Sequence, residues 1–268
     1  MMHSLRLNIA NTEYQIFTNS LRHILWLKKN YKTFLSLSES KPDLQIILKI
    51  DKKWKRDPRL FSPSKSIWHK CRFSTKTRFF DMEIDFKQSK AKVSAAPGLG
   101  PVDLVRFSCA IMLIRKEGFF LHASAVLDGK SSFIFFGPSE SGKTTIARLS
   151  KDKTVLTDET TALARCNGSY NAYATPFAGD FGRVKENTSG PIKAIFLIKK
   201  AARFGRKKIK ANDAVKQLFC NAIMPIDGPE ISYYLFNTFE QFVRRVPCYE
   251  LYFKAEPEIW RYIHGFVK

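Results

Sequence analysis

The sequence has few cysteines, and it has neither an internal repeat nor a low-complexity tract. Its five cysteines are scattered along the chain and never show CxxC spacing. They are Cys71, Cys109, Cys166, Cys220 and Cys248. An odd number of scattered cysteines argues against a disulfide framework and against a zinc site. It is typical of free thiols in a reducing compartment.

The sequence also lacks an apolar run that could cross a membrane, which requires about 18 or more apolar residues. The longest candidate, FSCAIMLI (Phe107–Ile114), is bounded by Arg106 and Arg115, so we expect a buried helix there. The N-terminal stretch MMHSLRLNIANTEY has no apolar core and no small-residue cleavage site of a signal peptide. We therefore expect a cytoplasmic protein without a membrane partner.

Acidic residues are scarce: 24 Asp and Glu stand against 45 Lys and Arg, a formal net charge of +21. The excess is concentrated in two stretches. Residues 51–80 carry ten basic and two acidic side chains, and residues 199–210 carry seven basic and none acidic. Such a surface attracts polyanions. Two interpretations stay open at this point, a solvated basic face or a docking surface for an acidic macromolecule.

The first hundred residues have the pattern of a small mixed α+β unit. Alternating apolar residues predict a hairpin that turns near Asn11, and helical spacing predicts a helix over Leu21–Leu35. Strands are expected at Leu44–Ile50 and Phe79–Phe86. The segment SAAPGLGP that follows (residues 94–101) holds two Gly and two Pro and is the best candidate for a domain boundary.

The remaining residues alternate strands and helices, so we expect domains at 1–100, a basic N-terminal unit, and 101–268, a nucleotide-binding domain. The expected elements are a helix over Val102–Gly118, two strands joined by Asp128-Gly129, a strand at Lys153–Glu159, a hairpin turning at Asn167-Gly168, a strand at Pro191–Lys200, helices over Asn212–Met224 and Ser232–Arg245, a strand in CYELYFKAE, and a last helix from Pro257. The fold class predicted is mixed α/β.

One short stretch, FIFFGPSESGKTTIARL (Phe133–Leu149), carries a phosphate-binding signature. Gly137, Gly142, Lys143 and Thr144 match the Walker A spacing, with a strand expected before the loop and a helix after it. The predicted cradle comprises Gly137, Pro138, Ser139, Glu140, Ser141, Gly142, Lys143, Thr144 and Thr145. Backbone N–H groups of such a loop form an anion nest. Lys143 would reach the β- and γ-phosphates of ATP, and the Thr144 hydroxyl would bind Mg²⁺. The alternative is a glycine-rich turn without chemistry.

A phosphate loop needs a carboxylate on a neighbouring strand, and VLTDE supplies Asp158 and Glu159. They follow Lys143 by fifteen and sixteen residues, an interval that accommodates one helix and a short strand. One carboxylate would take the proton of an acceptor hydroxyl while the other binds the metal. The alternative is a helix cap or a solvated turn.

The segment LHASAVLDGKSSFIFFGPSESGKTTIARLSKDKTVLTDETTAL resembles the core of the HPr kinase/phosphorylase family. More distantly, it is similar to ATP-dependent phosphoenolpyruvate carboxykinase. The resemblance implies a carboxykinase-like P-loop core, a mixed sheet with helices, over about residues 102–268. It also implies that ATPFAGD (Ala174–Asp180) and VPCYELYF (Val246–Phe253) are later strands of that core.

The resemblance also assigns roles. It implies that Asp158 is the catalytic base and that Glu159 assists with metal and phosphate. It places His122 close to the reacting groups, whereas a lone His in an apolar strand is otherwise most often structural. Two residues depart from the family pattern, since Glu159 replaces Asp and Glu140 replaces Gly.

Three functions follow as hypotheses. The favoured one is an ATP-dependent kinase for a Ser or Thr hydroxyl of a peptide or small protein. The basic stretches could dock an acidic substrate, and the family resemblance implies a homo-oligomer. The second, motivated by Glu140 and Glu159, is a degenerate nucleotide-binding switch or scaffold. The third and least favoured is nucleic-acid binding through basic and aromatic residues of the N-terminal half. These aromatics are Trp54, Phe61, Trp68, Phe73, Phe79 and Phe80.

Overall fold

A computed structural model describes residues 1–54, 65–182, 184–223 and 228–267. The chain divides into two compact units. The first unit comprises Met1–Cys109 and Met224–Tyr233, and the second comprises Ala110–Ile223 and Tyr234–Lys268, as far as these ranges are described. The boundary near residue 109 falls inside helix α2 (Pro101–Arg115).

The first unit is built on a seven-stranded mixed sheet. Its strands are β1 (His3–Asn8), β2 (Glu13–Thr18), β3 (Leu44–Ile50), β4 (Lys65–His69), β5 (Arg72–Lys76), β6 (Phe80–Asp85) and β7 (Lys90–Ala95). The strand order is β1-β2-β3-β7-β6-β5-β4. Helix α1 (Leu21–Asn30) connects β2 to the parallel strand β3 through a short 3-10 turn at Lys32–Phe34.

The predicted hairpin β1–β2 and the strands at 44–50 and 79–86 are confirmed in this unit, the last as β6. The alternating side chains Tyr14 and Ile16 of β2 are buried, as a half-buried strand requires. The predicted helix over Leu21–Leu35 is too long. It ends at Asn30, because Tyr31 leaves helical backbone angles (φ −111°, ψ 31°) and a 3-10 turn follows.

Two of the six aromatics considered for nucleic-acid stacking lie in this unit's interior. Phe73 and Phe80 are buried, and Trp68 packs against Phe73 and Phe86 with ring centroids 5.5 Å apart in each case. The sixth residue of that set, Phe61, lies outside the described residues. The two buried rings cannot stack on bases, which removes part of the support for that hypothesis, whereas Phe79 is 41% exposed.

The second unit is built on a nine-stranded mixed sheet. Its strands are β8 (Phe119–Asp128), β9 (Ser131–Phe136), β10 (Thr154–Thr157), β11 (Thr160–Cys166), β12 (Ser169–Tyr173), β13 (Ser189–Lys200), β14 (Gly205–Lys208), β15 (Ala222–Ile223) and β16 (Cys248–Phe253). Its helices besides the end of α2 are α3 (Lys143–Leu149), α4 (Ala211–Asn221), the part of α5 (Pro229–Arg245) from Tyr234 onward, and α6 (Ile259–His264). The main path runs β10-β8-β11-β12-β13-β16-β14, and β9 pairs with both β8 and β13.

Most predicted elements of this unit are confirmed, including both hairpins and the strand and helix that flank the glycine-rich stretch. The last helix begins at Ile259 rather than at Pro257. One prediction is wrong: Ala174–Asp180 is an irregular loop instead of a strand. The reason is that the Gly179 N–H bonds the Asp158 carboxylate instead of a strand ladder.

Aromatic and aliphatic side chains of β9, β13 and β16 form the core beside the glycine-rich stretch. Phe135 and Phe196 are fully buried and stack at 5.2 Å between ring centroids. Helices α3 and α6 cover this face through Ile146 and Trp260, and the Trp260 indole N–H donates to the Ser150 hydroxyl at 3.0 Å. Burying one such side chain stabilises the fold by about 1.5–3 kcal/mol, so this core holds α3 rigidly against the sheet.

Fold class, cysteine state and membrane-spanning potential can be compared with the sequence-based expectations. The mixed α/β class is confirmed, whereas the carboxykinase-like P-loop core stays a prediction. All five cysteines are free, as expected. Within the described ranges, no helix combines the length and the apolar composition needed to span a membrane.

Candidate functional site

The loop between β9 and α3, hereafter the glycine loop (Gly137–Gly142), has an unusual backbone. Gly137 and Gly142 have φ angles of 151° and 111°, and Glu140 has a φ of 62°. The φ angle of Glu140 lies in the left-handed region, which a residue with a Cβ adopts only at an energetic cost. Glu140 therefore occupies a position that favours glycine, which is the residue the family pattern led us to expect there.

At position 142, both the φ angle and the packing require glycine. A Cβ at this position would lie 2.5 Å from Cζ of Phe253, a ring buried in the core. Nearby, the Oγ of Ser141 is buried and has no hydrogen-bond partner among the described residues. The loop thus lies tightly on the sheet and retains an unused hydroxyl.

Lys143 begins α3 and folds back over the glycine loop. Its side chain is 7% exposed, and Nζ donates to the carbonyl oxygens of Gly137 at 2.9 Å and Pro138 at 3.0 Å. Burial lowers the pKa of the Lys143 ammonium. An ammonium has three N–H donors, so one remains for an anionic ligand.

Asp158 and Glu159 form the turn between β10 and β11. Asp158 is 4% exposed, and both of its carboxylate oxygens accept backbone hydrogen bonds. Oδ1 accepts from the Gly179 N–H and Oδ2 from the Phe181 N–H, each at 2.8 Å. The loop over Ala174–Asp180 and Phe181 therefore fixes the orientation of this carboxylate.

Gly179 also approaches the second carboxylate. A Cβ added there would lie 3.0 Å from Oδ2 of Asp158 and 3.2 Å from Oε2 of Glu159. Both acids consequently face the same glycine, and any side chain at this position would have to displace one of them.

Strand register explains why His122 lies beside these groups. In β8, His122 pairs with Thr160, the residue after the acidic turn, and Ala123 pairs with Phe136, the residue before the glycine loop. Burial lowers the pKa of His122 and the charge of Lys143 lowers it further, while Glu159 and Asp158 oppose the shift. The His122 ring thus lies within electrostatic reach of the predicted site residues.

These residues line a cavity of about 520 Å³, hereafter the loop cavity. Its lining is His122, Ser139, Glu140, Gly142, Lys143, Thr144, Thr145, Asp158, Glu159, Gly179, Asp180 and Lys200. Three residues of the predicted cradle do not line it. Pro138 and Ser141 face a second cavity of about 440 Å³, and Gly137 contributes its carbonyl to Lys143.

Sequence reasoning missed three residues of the loop cavity: Gly179, Asp180 and Lys200. The signal for the first two was present in ATPFAGD, where Pro, Gly and Asp are typical of a loop. Lys200 ends a strand and begins the basic stretch 199–210. Lys200 lies beside the glycine loop because β13 pairs with β9, and this pairing cannot be read from a local sequence pattern.

The donor set of the cavity suits phosphate and a hard cation. Lys143 supplies a positive charge, and Thr144, Asp158, Glu159 and Asp180 supply oxygen atoms. No preformed cluster of three or more His, Cys, Asp or Glu side chains able to hold a metal ion occurs in the part of the chain that the structure describes.

Residues 103–268 match the family model for the SynChlorMet cassette protein ScmC. Among solved structures, the HPr(Ser) kinase/phosphatase from Coxiella burnetii is 12% identical, with 47% of this chain and 88% of that chain covered at a TM-score of 0.26. The comparison with curated proteins finds no match. Because the family match spans more than half of the chain, the protein belongs to the ScmC family.

Proposed function

We propose that this protein is an ATP-dependent phosphotransferase that moves the γ-phosphate of ATP to a Ser or Thr hydroxyl of a peptide or small protein. One observation carries the proposal: a single cavity is lined by Lys143, Thr144, His122 and the two carboxylates Asp158 and Glu159. Phosphoryl transfer needs a cation for the phosphates, a hydroxyl and a carboxylate for the metal, and a base, all in one place.

The glycine loop and Lys143 would bind the triphosphate. The loop's backbone would supply N–H donors for an anion nest, and the third N–H of Lys143 would be available to a phosphate. Because Lys143 is a buried residue and burial lowers the pKa of its ammonium, a bound phosphate would compensate the cost of burying this charge.

Asp158 is suited to act as the base. Its two loop hydrogen bonds leave further lone pairs on both oxygens, since a carboxylate has about four acceptor sites. In the proposed step the acceptor oxygen bonds to the γ-phosphorus while the bond from that phosphorus to the β,γ-bridging oxygen breaks. The hydroxyl proton passes to Asp158, and ADP leaves. His122 would lie beside this proton and modulate its transfer.

Mg²⁺ fits the donor set of the cavity. The Thr144 hydroxyl and the Glu159 carboxylate would hold it, since Mg²⁺ is typically bound by one or two protein oxygens together with phosphates. When bound, the ion neutralises charge that develops on the phosphate oxygens.

The test is transfer from γ-labelled ATP with Mg²⁺ to a degenerate peptide library that contains Ser and Thr, with ADP release measured in parallel. We expect Lys143→Ala and Asp158→Asn to lower transfer by about a hundredfold or more. The matched control is Lys87→Ala, which removes an exposed lysine of the first unit. Equal activity in Lys143→Ala and the unmodified protein would refute the proposal.

A second candidate, a nucleotide-binding switch without catalysis, is favoured by one observation. Both Asp158 oxygens already accept backbone N–H groups, which occupy two of the lone pairs that could otherwise accept the proton of an acceptor hydroxyl. This function would give a thermal shift with ATP and Mg²⁺, lost in Lys143→Ala, with neither transfer nor ADP release in the presence of the library.

A further inference from the structure

We propose that the free edge of β14 (Gly205–Lys208) docks an acidic, extended segment of the peptide acceptor as an added strand. The inference deepens the proposed function, because it names the chemistry of the acceptor. The docking itself does not depend on phosphoryl transfer and can be measured without nucleotide.

Strand β14 is an edge strand. It is the last in the sheet order, and among the described strands it pairs with β16 alone. The Ile209 N–H bonds the Cys248 carbonyl, which fixes the alternation of hydrogen-bonded pairs along β14. The backbone N–H and C=O groups of Arg206 and Lys208 therefore point away from β16. An added peptide strand would bond to these groups.

The surface at this edge has the charge that an acidic segment complements. The basic side chains of residues 199–210 are all exposed: Lys199, Lys200, Arg203, Arg206, Lys207, Lys208 and Lys210. Lys199 bonds Glu250 at 2.9 Å, and the Arg206 guanidinium lies 4.1 Å from the centre of the Phe266 ring. For Lys200, Arg203, Lys208 and Lys210, the described residues provide no ion-pair partner. Several exposed cations at one strand edge repel each other unless a polyanion binds.

The same edge is continuous with the loop cavity. Lys200 lines the cavity and pairs with Phe253 of β16, and the neighbouring residue Tyr252 pairs with Gly205. The Gly205 end of β14 thus lies at the end of the sheet where the glycine loop begins. A segment docked on β14 would pass towards the cavity along basic side chains.

Strand spacing gives the reach that the acceptor needs. From β9 through β13, β16 and β14 to an added strand there are four spacings of about 4.8 Å, or about 19 Å. An extended chain covers about 3.3–3.6 Å per residue. The acceptor hydroxyl should consequently lie about six residues from the docked acidic segment.

The surroundings favour a peptide over a nucleic acid. Single-stranded nucleic acids bind basic surfaces on which aromatic rings are free to stack with bases. At this edge the rings are engaged within the protein: Phe204 stacks on Tyr262 at 5.4 Å, and Phe266 packs under Arg206. The unused groups here are backbone donors and acceptors together with lysines, which match an extended acidic peptide.

The first experiment measures binding of a fluorescein-labelled Glu-Val-Glu-Val-Glu-Val peptide to the full chain by fluorescence anisotropy, without nucleotide. The charge-reversal variant Lys208→Glu with Lys210→Glu should weaken binding about tenfold, because two attractions become two repulsions. The matched control, Lys41→Glu with Lys87→Glu, changes the net charge equally at exposed lysines of the first unit. Equal weakening by both pairs would overturn the proposal, since it would show attraction to net charge alone.

The second experiment separates strand addition from charge. Lys208→Pro removes the outward N–H that the added strand would use, and proline is tolerated on an edge strand where its N–H faces outward. Lys208→Gln removes the same charge and keeps the N–H. Binding clearly weaker in Lys208→Pro than in Lys208→Gln, with unchanged melting temperatures, supports strand addition. Equal binding overturns it, and if Lys208→Pro does not fold, the charge-reversal pair decides the docking site.

A third arm tests the competing class of partner and the link to catalysis. A single-stranded DNA or RNA oligomer that binds more tightly than the peptide, and loses binding in the charge-reversal pair, would overturn the proposal. Asp158→Asn should bind the peptide as the unmodified protein does. Peptide binding at this edge without any phosphoryl transfer would leave the docking proposal standing while the proposed function fails.

Discussion

Replacing Glu140 with glycine should stabilise the protein and leave nucleotide binding intact. The reason is the backbone: Glu140 has a φ of 62°, in the left-handed region. A residue with a Cβ pays about 1–2 kcal/mol there. Glycine removes that cost, but it lowers the free energy of unfolding by about 0.4–1 kcal/mol because it increases the conformational entropy of the unfolded chain. The net gain should be about 0.5–1 kcal/mol, or about 2 °C in melting temperature.

Two control variants separate the backbone from the charge. Glu140→Ala removes the carboxylate but keeps a Cβ, so its melting temperature should stay near that of the unmodified protein. Asn167→Gly relieves a left-handed residue (φ 49°) in the turn between β11 and β12. Because Asn adopts left-handed angles at a lower cost than Glu, Asn167→Gly should raise the melting temperature less than Glu140→Gly. It should not affect nucleotide binding, because Asn167 lies outside the loop cavity.

Nucleotide affinity is the second measurement, by calorimetry with ATP and Mg²⁺. Glu140 is exposed on the cavity lining, and one unit charge at roughly 10 Å in water is worth about 0.4 kcal/mol before screening. Both Glu140 variants should therefore bind ATP at most about threefold more tightly. A collapse of affinity in Glu140→Gly would show that the carboxylate contacts the nucleotide. Equal stabilisation by Glu140→Ala and Glu140→Gly would refute the strain argument.

Three further predictions concern the loop over Asp158, the histidine and a buried thiol. Gly179→Ala should destabilise the protein by about 1–3 kcal/mol in chemical denaturation, because its Cβ would lie 3.0 Å from Oδ2 of Asp158 and disturb a charged hydrogen bond; an unchanged midpoint would contradict the packing. Because burial and Lys143 lower the pKa of His122 in the folded protein, the unfolded chain binds more protons as pH falls through 6.5. The unfolding free energy should thus fall on acidification more in the unmodified protein than in His122→Gln, and parallel pH curves would contradict this. Burial raises the pKa of Cys248 to about 12, so it should react with a thiol reagent at pH 8 only after denaturation, as peptide mapping of the labelled sites can show.

Local sequence patterns were sufficient to predict those elements whose interacting residues are close in sequence. Alternating apolar residues predict β2 and β3, and the turn pairs Asp128-Gly129 and Asn167-Gly168 predict hairpins that the structure contains. The spacing from Gly137 to Lys143 likewise predicts a strand, a loop and a helix in that order. In each case the residues that interact lie within a few positions of one another, so their side chains and backbone preferences carry the information.

The elements that local sequence patterns did not predict depend on residues that are far apart in the sequence. The strands β4, β5 and β7 were not predicted, and neither was β14, whose four residues GRKK show no apolar alternation. This segment forms a strand because its backbone pairs with the edge of β16. The family resemblance implied a strand at Ala174–Asp180. The hydrogen bond that holds this segment as a loop joins Gly179 to Asp158, 21 residues away, and no local pattern shows it.

The sequence by itself determined the chemistry available to this protein: a glycine loop with Lys143 and Thr144, an acidic pair, and a concentrated positive charge. Only the tertiary structure decided which of these groups share a cavity. It brought His122 between the loop and the acids through the register of β8, placed Gly179 against both carboxylates, and left β14 as a basic edge. The physical reason is that strand order and register depend on burying whole sheet faces, and no short window of sequence contains that information.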